Sequence, residues 1–203
     1  MEVQDVLVRD LHDGQERRFI PPPGVVFEPV AISPDGWWLL ICGFRSQTDI
    51  DCCLADLADP EAKPQVVTAT TGEGFCEPVA WAADSRGFYV ATNTWGGEFA
   101  DAGYYSMADP GIRKVISAGW DIESLAVAAD NDTMAWTVNQ AGSSILHARR
   151  DGSDIPLPDM PAGVVSVLRL SQDGSVAALV LDAATPACRG RHRRPRPITG
   201  PQD

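Results

Sequence analysis

Residues 29–40 read PVAISPDGWWLL, two apolar runs joined by a Pro-Asp-Gly turn. Pro34 fixes φ for the second position of a turn, Asp35 can accept a hydrogen bond from its own backbone, and Gly36 can adopt the positive φ that other residues avoid. The stretch therefore predicts two antiparallel strands that meet at this turn.

The same arrangement returns three times along the chain. The further copies occupy residues 78–90, 125–135 and 167–177. One aspartate in the turn of each copy marks the repeat, and these are Asp35, Asp84, Asp130 and Asp173. The aspartates are 49, 46 and 43 residues apart, which is the length of one blade of a β-propeller. The repeat therefore predicts an all-β fold, a β-propeller of four-stranded antiparallel blades.

The composition is that of an ordinary globular domain, with 203 residues of which 44% are hydrophobic and 22% are charged. The net charge of −12 argues against a nucleic acid as partner, because phosphate binding requires a basic surface. Residues 183–203 contain five Arg and one Asp, a net charge of +4, which leaves −16 for the rest of the chain.

The cysteines and the N-terminal residues indicate the compartment. The five cysteines show no C-x-x-C spacing, so we expect neither a disulfide framework nor a metal site, and no motif calls for a cofactor. The start of the chain lacks the basic and apolar regions of a signal peptide, and no apolar run approaches the roughly 20 residues that span a bilayer. We therefore expect a cytoplasmic protein with reduced thiols.

Taken in order, the chain begins with a predicted hairpin and continues with three whole blades. The hairpin covers residues 3–20, and the blades cover residues 28–68, 77–117 and 122–157. A fourth repeat supplies two inner strands, at residues 164–170 and 175–182, and then the pattern is lost.

The two ends of the predicted propeller, residues 1–182, suggest a way to close the ring. The last repeat offers two inner strands without outer ones, and residues 3–20 offer two outer strands without inner ones, so together they would form a composite fourth blade. The alternative is a series of consecutive blades from a larger propeller, with open edges at both ends.

The C-terminal tail, residues 183–203, differs in composition from the repeats. It is rich in Pro and Arg and lacks apolar alternation, so we expect it to be disordered. A changed reading frame or gene boundary would account for a tail that begins where two further strands are due.

The repeat resembles one known class of propeller. It lacks the Gly-His and Trp-Asp marks of WD40 blades. Residues 33–39, SPDGWWL, followed by residues 53–57, CLADL, are similar to the TolB-like repeat, and residues 7–14 are similar to its second half. Together with residues 88–93 and 97–99, the stretch from 3 to 182 resembles the N-terminal propeller of the prolyl oligopeptidase (S9) family of serine peptidases.

This resemblance implies a propeller that screens the active site of an α/β-hydrolase domain carrying a Ser, Asp, His triad. The nucleophile of such a domain lies in a Gly-x-Ser-x-Gly pentapeptide, and the chain contains none. The nearest segments, residues 103–107 and 142–145, lack the flanking glycines. We therefore expect a non-catalytic propeller that works with a hydrolase domain or with a peptide or protein ligand. An active peptidase would need the triad from a separate chain.

Isolated histidines and cysteines carry no evident chemistry. His12, His147 and His192 have no partners at a spacing that would enforce a catalytic or metal site, so we expect solvated or packed side chains. Cys52 and Cys53 are adjacent on a predicted strand and should point to opposite faces as small buried hydrophobes.

One face of the propeller is the best candidate for binding. The links between second and third strands, and those between blades, lie opposite the Pro-Asp-Gly turns. We call this surface the loop face, and it comprises residues 45–49, 70–73, 95–101 and 119–120. Its candidate binding residues are Arg45, Trp95, Glu98 and Trp120, because exposed aromatic and charged side chains suit recognition. The competing interpretation is a set of ordinary polar loops. The other tryptophans fall mostly in predicted strands, where they should pack between blades.

Overall fold

The computed structural model describes residues 4–68 and 74–183, in which every regular element is a β-strand. The all-β prediction is therefore confirmed. In the same residues, no helix is long and apolar enough to cross a membrane. The C-terminal tail, for which disorder was predicted, lies outside the described residues except for Ala183. The 70–73 segment of the loop face also lies outside them.

The strands follow the predicted repeat. A hairpin comes first, with β1 (Val6–Arg9) and β2 (Glu16–Phe19). Blade 1 contains β3 (Val26–Ile32), β4 (Trp38–Ser46), β5 (Asp49–Asp56) and β6 (Gln65–Val66). Blade 2 contains β7 (Gly74–Trp81), β8 (Gly87–Thr92), β9 (Asp101–Ser106) and β10 (Ile112–Ile116). Blade 3 contains β11 (Ile122–Val127), β12 (Met134–Gln140), β13 (Ser143–Arg150) and β14 (Ser153–Asp154). The final pair is β15 (Val164–Leu170) and β16 (Ala177–Asp182).

The turns between first and second strands are built alike in all four repeats. The turn aspartate accepts a hydrogen bond from the backbone N–H two residues later at 2.9–3.1 Å, and the four aspartates are Asp35, Asp84, Asp130 and Asp173. Each turn also contains a residue with positive φ, namely Gly36, Ser85, Asn131 and Gly174. Gly36 was predicted in this conformation, and its φ of 81° confirms the prediction.

Successive turns are bonded to one another. The Asp35 N–H donates to Ser85 Oγ at 3.0 Å, and the Ala83 N–H donates to Asn131 Oδ1 at 2.9 Å. The Ala129 N–H donates to the Gln172 carbonyl at 2.9 Å. The four repeats are thus joined in sequence along the face opposite the loop face.

Apolar side chains fill the space between consecutive units. The cluster between blades 1 and 2 includes Leu40, Cys52, Cys76, Phe88 and Tyr105, and similar clusters lie between the hairpin and blade 1, between blades 2 and 3, and between blade 3 and the final pair. The units therefore pack face to face in chain order, as the blades of a propeller do.

Of the four tryptophans in predicted strands, three pack as predicted, with Trp38 partly buried against the cluster between blades 1 and 2, and one does not. Trp81 and Trp136 are buried between blades. Trp37 was expected in the second strand of blade 1, but β4 begins one residue later and leaves Trp37 in the turn, 57% exposed. The Pro-Asp-Gly turn extends through residue 37, so the Trp37 side chain has no sheet face to pack against.

Blades 1 and 2 are also joined by a short parallel pairing. Asp49 pairs with Gly74 and Ile50 with Phe75, so the strands of the two blades form one continuous eight-stranded sheet. The sequence did not predict this link, since a two-residue parallel pairing leaves no pattern of alternation.

The expected composite fourth blade is not formed in the described residues. There, β1 pairs only with β2 and β16 pairs only with β15. The hairpin packs against blade 1 and the final pair packs against blade 3. Of the two arrangements that the sequence left open, the described residues show no strand pairing of the composite kind, and the number of blades stays open.

Candidate functional site

Blades 1 and 2 meet at the loop face through hydrogen bonds donated by the backbone of β7. The Gly74 N–H donates to the Thr48 carbonyl at 3.1 Å, and the Phe75 N–H donates to Asn93 Oδ1 at 3.0 Å. These bonds connect the end of blade 1 that carries Arg45 to the loop that carries Trp95.

Arg45 is held by two carboxylates of its own blade. Its guanidinium donates to Asp51 at 2.6 Å and to Asp49 at 3.0 Å, and the hydrogen bond with Asp51 raises the pKa of Arg45. The Asp51 side chain is only 5% exposed. Arg45 is therefore engaged by carboxylates of its own blade, although its side chain is 38% exposed, and a ligand would compete with these partners for its guanidinium.

The Arg45–Asp51 ion pair lies in the wall of a cleft of about 480 Å³ between the hairpin and blade 1. The remaining wall includes Phe19, Phe27 and Val25. The charged residues Arg18, Glu61 and Lys63 also line this cleft, so its wall combines apolar and charged side chains.

Trp95 is fixed against the sheet of blade 2. A Cβ at Gly103 would approach Trp95 Cη2 within 2.8 Å, so the ring lies directly on the backbone of β9. Lys114 Nζ lies 4.9 Å from the ring centroid and also forms an ion pair with Asp101 at 2.5 Å. The indole is 37% exposed and is held in one position, which suits a binding role.

Trp120 joins the same surface from the link between blades 2 and 3. Its ring centroid lies 5.5 Å from that of Phe99, and it is 39% exposed. The Ala100 N–H donates to Asp121 Oδ1 at 2.8 Å, which ties this link to the Trp95 loop. Glu98 is exposed in that loop. The structure thus brings Trp95, Glu98 and Trp120 onto adjoining segments, while Arg45 stands apart on blade 1.

A second candidate surface follows the first strands of successive units. A groove of about 210 Å³ is lined by β7, β11 and β15, and its charged residues are Glu77, Glu123 and Arg169. First strands are the innermost strands of propeller blades, so this groove faces the propeller axis. We call it the axial groove.

Glutamates recur at equivalent positions of the inner strands. Glu28, Glu77 and Glu123 each precede the turn aspartate of their unit by seven residues, and Ser166 occupies this position in the last unit. They were not among the predicted site residues. The signal was the repeated Glu-Pro-Val-Ala at residues 28–31 and 77–80, which shows that an acidic side chain recurs at one position of the repeat.

The glutamates differ in their surroundings. Glu123 accepts hydrogen bonds from Asn139 Nδ2 at 2.8 Å and from Ser144 Oγ at 3.0 Å. Partial burial, and then the neighbouring Glu28 carboxylate, raise the pKa of Glu77. A cation beside Glu77 would offset its repulsion from Glu28, so the part of the groove at Glu77 suits a positively charged group.

The histidines of the described residues have the packed or solvated roles that the sequence indicated. The His147 ring stacks on Trp136 with centroids 5.4 Å apart, and His12 lies in the exposed turn of the hairpin. Within residues 4–68 and 74–183, no group of three or more His, Cys, Asp or Glu side chains could hold a metal ion.

Comparison with solved structures identifies the class of fold. A TolB-type structure from Agrobacterium tumefaciens matches 89% of this chain with 14% identity and a TM-score of 0.67, and TolB from Acinetobacter baumannii matches 89% with 17% identity and a TM-score of 0.62. Prolyl oligopeptidase B from Galerina marginata matches 88% with 12% identity and a TM-score of 0.66. The fold is therefore a TolB-like β-propeller that resembles the N-terminal propeller of S9 peptidases, as the sequence predicted.

The chain spans 64% of the Agrobacterium structure, 43% of the Acinetobacter structure and 28% of the Galerina structure. At these identities, the likeness establishes the fold and not an activity. Neither a protein-family model nor a curated protein matches the sequence.

Proposed function

We propose that this chain is a non-catalytic propeller, acting as a domain or as part of a larger propeller, that receives a peptide segment in its axial groove. The resemblance to S9 peptidases supports an α/β-hydrolase domain as the partner that such a propeller would screen. The cytoplasmic location expected from the sequence belongs to the same proposal.

The observation that carries the proposal is the recurrence of glutamate on successive inner strands. An isolated surface carboxylate is commonplace, but glutamate recurs at one position of three successive inner strands, and two of these, Glu77 and Glu123, line the groove together with Arg169. Burial and the Glu28 carboxylate raise the pKa of Glu77, and a cationic ligand beside Glu77 would favour its charged form. We therefore expect the groove to prefer peptides with Lys or Arg side chains.

A binding assay with matched peptides tests the proposal. Fluorescence anisotropy should show a labelled Lys-containing peptide binding more tightly than a matched Glu-containing peptide, with affinity falling as salt rises. Glu77→Gln should weaken binding about 3- to 10-fold, whereas Glu98→Gln, on the loop face, should leave it unchanged. Equal binding of both peptides would contradict the proposal.

A fluorogenic dipeptide and an acyl-peptide substrate test the absence of catalysis. Purified protein should give no turnover above the buffer blank. Turnover abolished by a serine-directed inhibitor would show that the protein is itself a peptidase.

The loop face supports a second candidate function, the binding of a protein or peptide by a self-contained propeller. The supporting observation is that Trp95 and Trp120 are partly exposed and fixed by their neighbours. If this surface binds the ligand, Trp95→Ala should abolish binding in a pull-down and Trp37→Ala, which removes an exposed tryptophan from the opposite face, should not. If the axial groove binds it, both variants should bind like the wild type.

A further inference from the structure

We propose that Cys52 and Cys76 form a reversible disulfide that links blade 1 to blade 2. Cys52 lies on β5 and Cys76 on β7, the two strands that are joined by the parallel pairing near the loop face. Their Sγ atoms are 3.6 Å apart, and neither residue is exposed to solvent. A disulfide bond is about 2.05 Å long, so side-chain rotations that bring the sulfurs about 1.5 Å closer would suffice.

The neighbouring cysteines make this pairing specific. Cys42 lies opposite Cys52 in the β4–β5 ladder and is the competing partner. Cys53 lies on the other face of the sheet, in the cluster that packs against the hairpin. Only the Cys52–Cys76 pair is in direct sulfur contact among the described residues, and the Cys52 thiol also points at the Cys76 carbonyl, 3.2 Å away.

The two thiols are unequal in reactivity. Burial raises the pKa of Cys52 well above its ordinary value, whereas the hydrogen bond from the Cys52 thiol lowers the pKa of Cys76. Cys76 is therefore the thiol that ionises first, and the thiolate is the reactive form of cysteine. The Cys52 sulfur lies close enough to attack the oxidised Cys76 sulfur and form the disulfide.

Hydrogen peroxide can supply the oxidising equivalents. The Cys76 thiolate attacks one peroxide oxygen, the O–O bond breaks, and hydroxide leaves and takes up a proton, which gives a sulfenic acid. The Cys52 thiol then attacks the Cys76 sulfur, the S–O bond breaks, and water leaves with the thiol proton. The two thiols lose two electrons, and one peroxide is reduced to two waters.

The bond would stabilise the junction of blades 1 and 2. It closes the chain between Cys52 and Cys76 and fastens β7 beside β5, where Phe75 contacts Asn93 at the base of the Trp95 loop. Because both thiols are buried, the oxidant reaches them only when the strands open locally. We therefore expect oxidation to be slower than that of an exposed thiol.

Peptide mapping of the full chain tests the inference directly. A Cys188→Ser background removes the one cysteine outside the described residues. After hydrogen peroxide treatment, free thiols are blocked and a Glu-specific protease cuts after Glu16, Glu61, Glu73 and Glu98, since the bonds after Glu28 and Glu77 precede proline and are not cleaved. Cys42, Cys52 and Cys53 then lie in one peptide and Cys76 in another. A Cys52–Cys76 bond joins the two peptides with a loss of two hydrogens, and fragmentation assigns it to Cys52.

The stability of the treated protein gives a second readout. The cross-link should raise the midpoint of thermal unfolding by about 5–10 °C, and dithiothreitol should reverse the rise. Cys53→Ser should retain the cross-link because Cys53 faces the hairpin, and Cys76→Ser should abolish it. If Cys76→Ser does not fold, mapping of the unsubstituted pair still decides the question.

Three results would overturn the inference. They are a bond between Cys42 and Cys52, oxidation to sulfinic or sulfonic acid without a cross-link, and unchanged thiols in protein that circular dichroism shows to be folded.

Discussion

The carboxylates of the turn aspartates are stabilised by short-range hydrogen bonds. Hydrogen bonds from the Ser171 hydroxyl and from the Ser175 backbone and hydroxyl lower the pKa of Asp173 to about 2. The Ser33 hydroxyl lowers the pKa of Asp35 in the same way, and the Thr133 backbone and hydroxyl lower that of Asp130. Each of these turns is therefore stabilised while its aspartate is ionised.

This predicts a loss of stability in acid. A carboxyl whose pKa is lower in the folded than in the unfolded state contributes its full stabilisation above about pH 4, the unfolded value, and loses it as the pH falls toward 2. The midpoint of thermal unfolding should fall over this range, and Asp173→Asn should make the fall smaller. Thermal melts from pH 5 to pH 2 measure this, with Asp159→Asn, outside the turns, as control. An equal pH dependence in wild type and Asp173→Asn would contradict the role of Asp173.

A second prediction concerns the backbone of the turns. Gly36 has φ of 81° and open space where a side chain would lie, so Gly36→Val should destabilise the protein only through the left-handed backbone, by about 1–3 kcal/mol. Gly111→Val is the matched control, because Gly111 has the same open space without positive φ. Urea unfolding gives the free energies. Equal losses in both variants would show that backbone conformation is not the cause.

At the scale of the strands, interdigitated side chains between blades carry the stability. Phe88 on β8 is fully buried in the cluster between blades 1 and 2, and its ring centroid lies 5.6 Å from that of Trp81 and 4.8 Å from that of Tyr105, both in the same blade. Phe88→Ala should lower the free energy of unfolding by about 3–5 kcal/mol, since it removes buried surface and leaves a cavity.

Trp37→Ala provides the comparison for Phe88→Ala. Trp37 is exposed in the turn, and its removal should change the free energy of unfolding by no more than about 0.5 kcal/mol. Denaturant unfolding of both variants tests the assignment of the core. A small effect of Phe88→Ala with a large effect of Trp37→Ala would mean that the blades pack by other faces.

The strands were predictable because each repeat combines a turn signal with alternating side chains. The second strand of blade 1 was predicted near residues 37–44 and is observed as β4, Trp38–Ser46, so its bounds differ by one or two residues. The pairing of the hairpin was not predictable. The first and last repeats each lack two strands, but this match does not show how far apart the two ends of the chain lie in the fold. The parallel pairing of β5 with β7 was also missed, because two bonded residues leave no periodic pattern.

For the whole molecule, the repeat identified the propeller but not the residues that face its axis. Trp95 and Trp120 could be assigned to the loop face because the strand order alternates the connections between two faces. The axial glutamates were missed because they lie within strands, seven residues before each turn aspartate, and carry neither a turn signal nor an aromatic ring. The pairing of Arg45 with Asp51 could not be predicted, since it depends on strand register that the sequence does not reveal.

The most direct test of the proposed function is the carboxyl carbon resonance of Glu77, followed by NMR as a function of pH with and without a Lys-containing peptide. In the free protein the pKa of Glu77 should be raised by its partial burial and by Glu28. Bound peptide should lower this pKa, because a nearby cation favours the carboxylate. A Glu77 titration unchanged by saturating peptide would contradict the claim that the axial groove is the binding site.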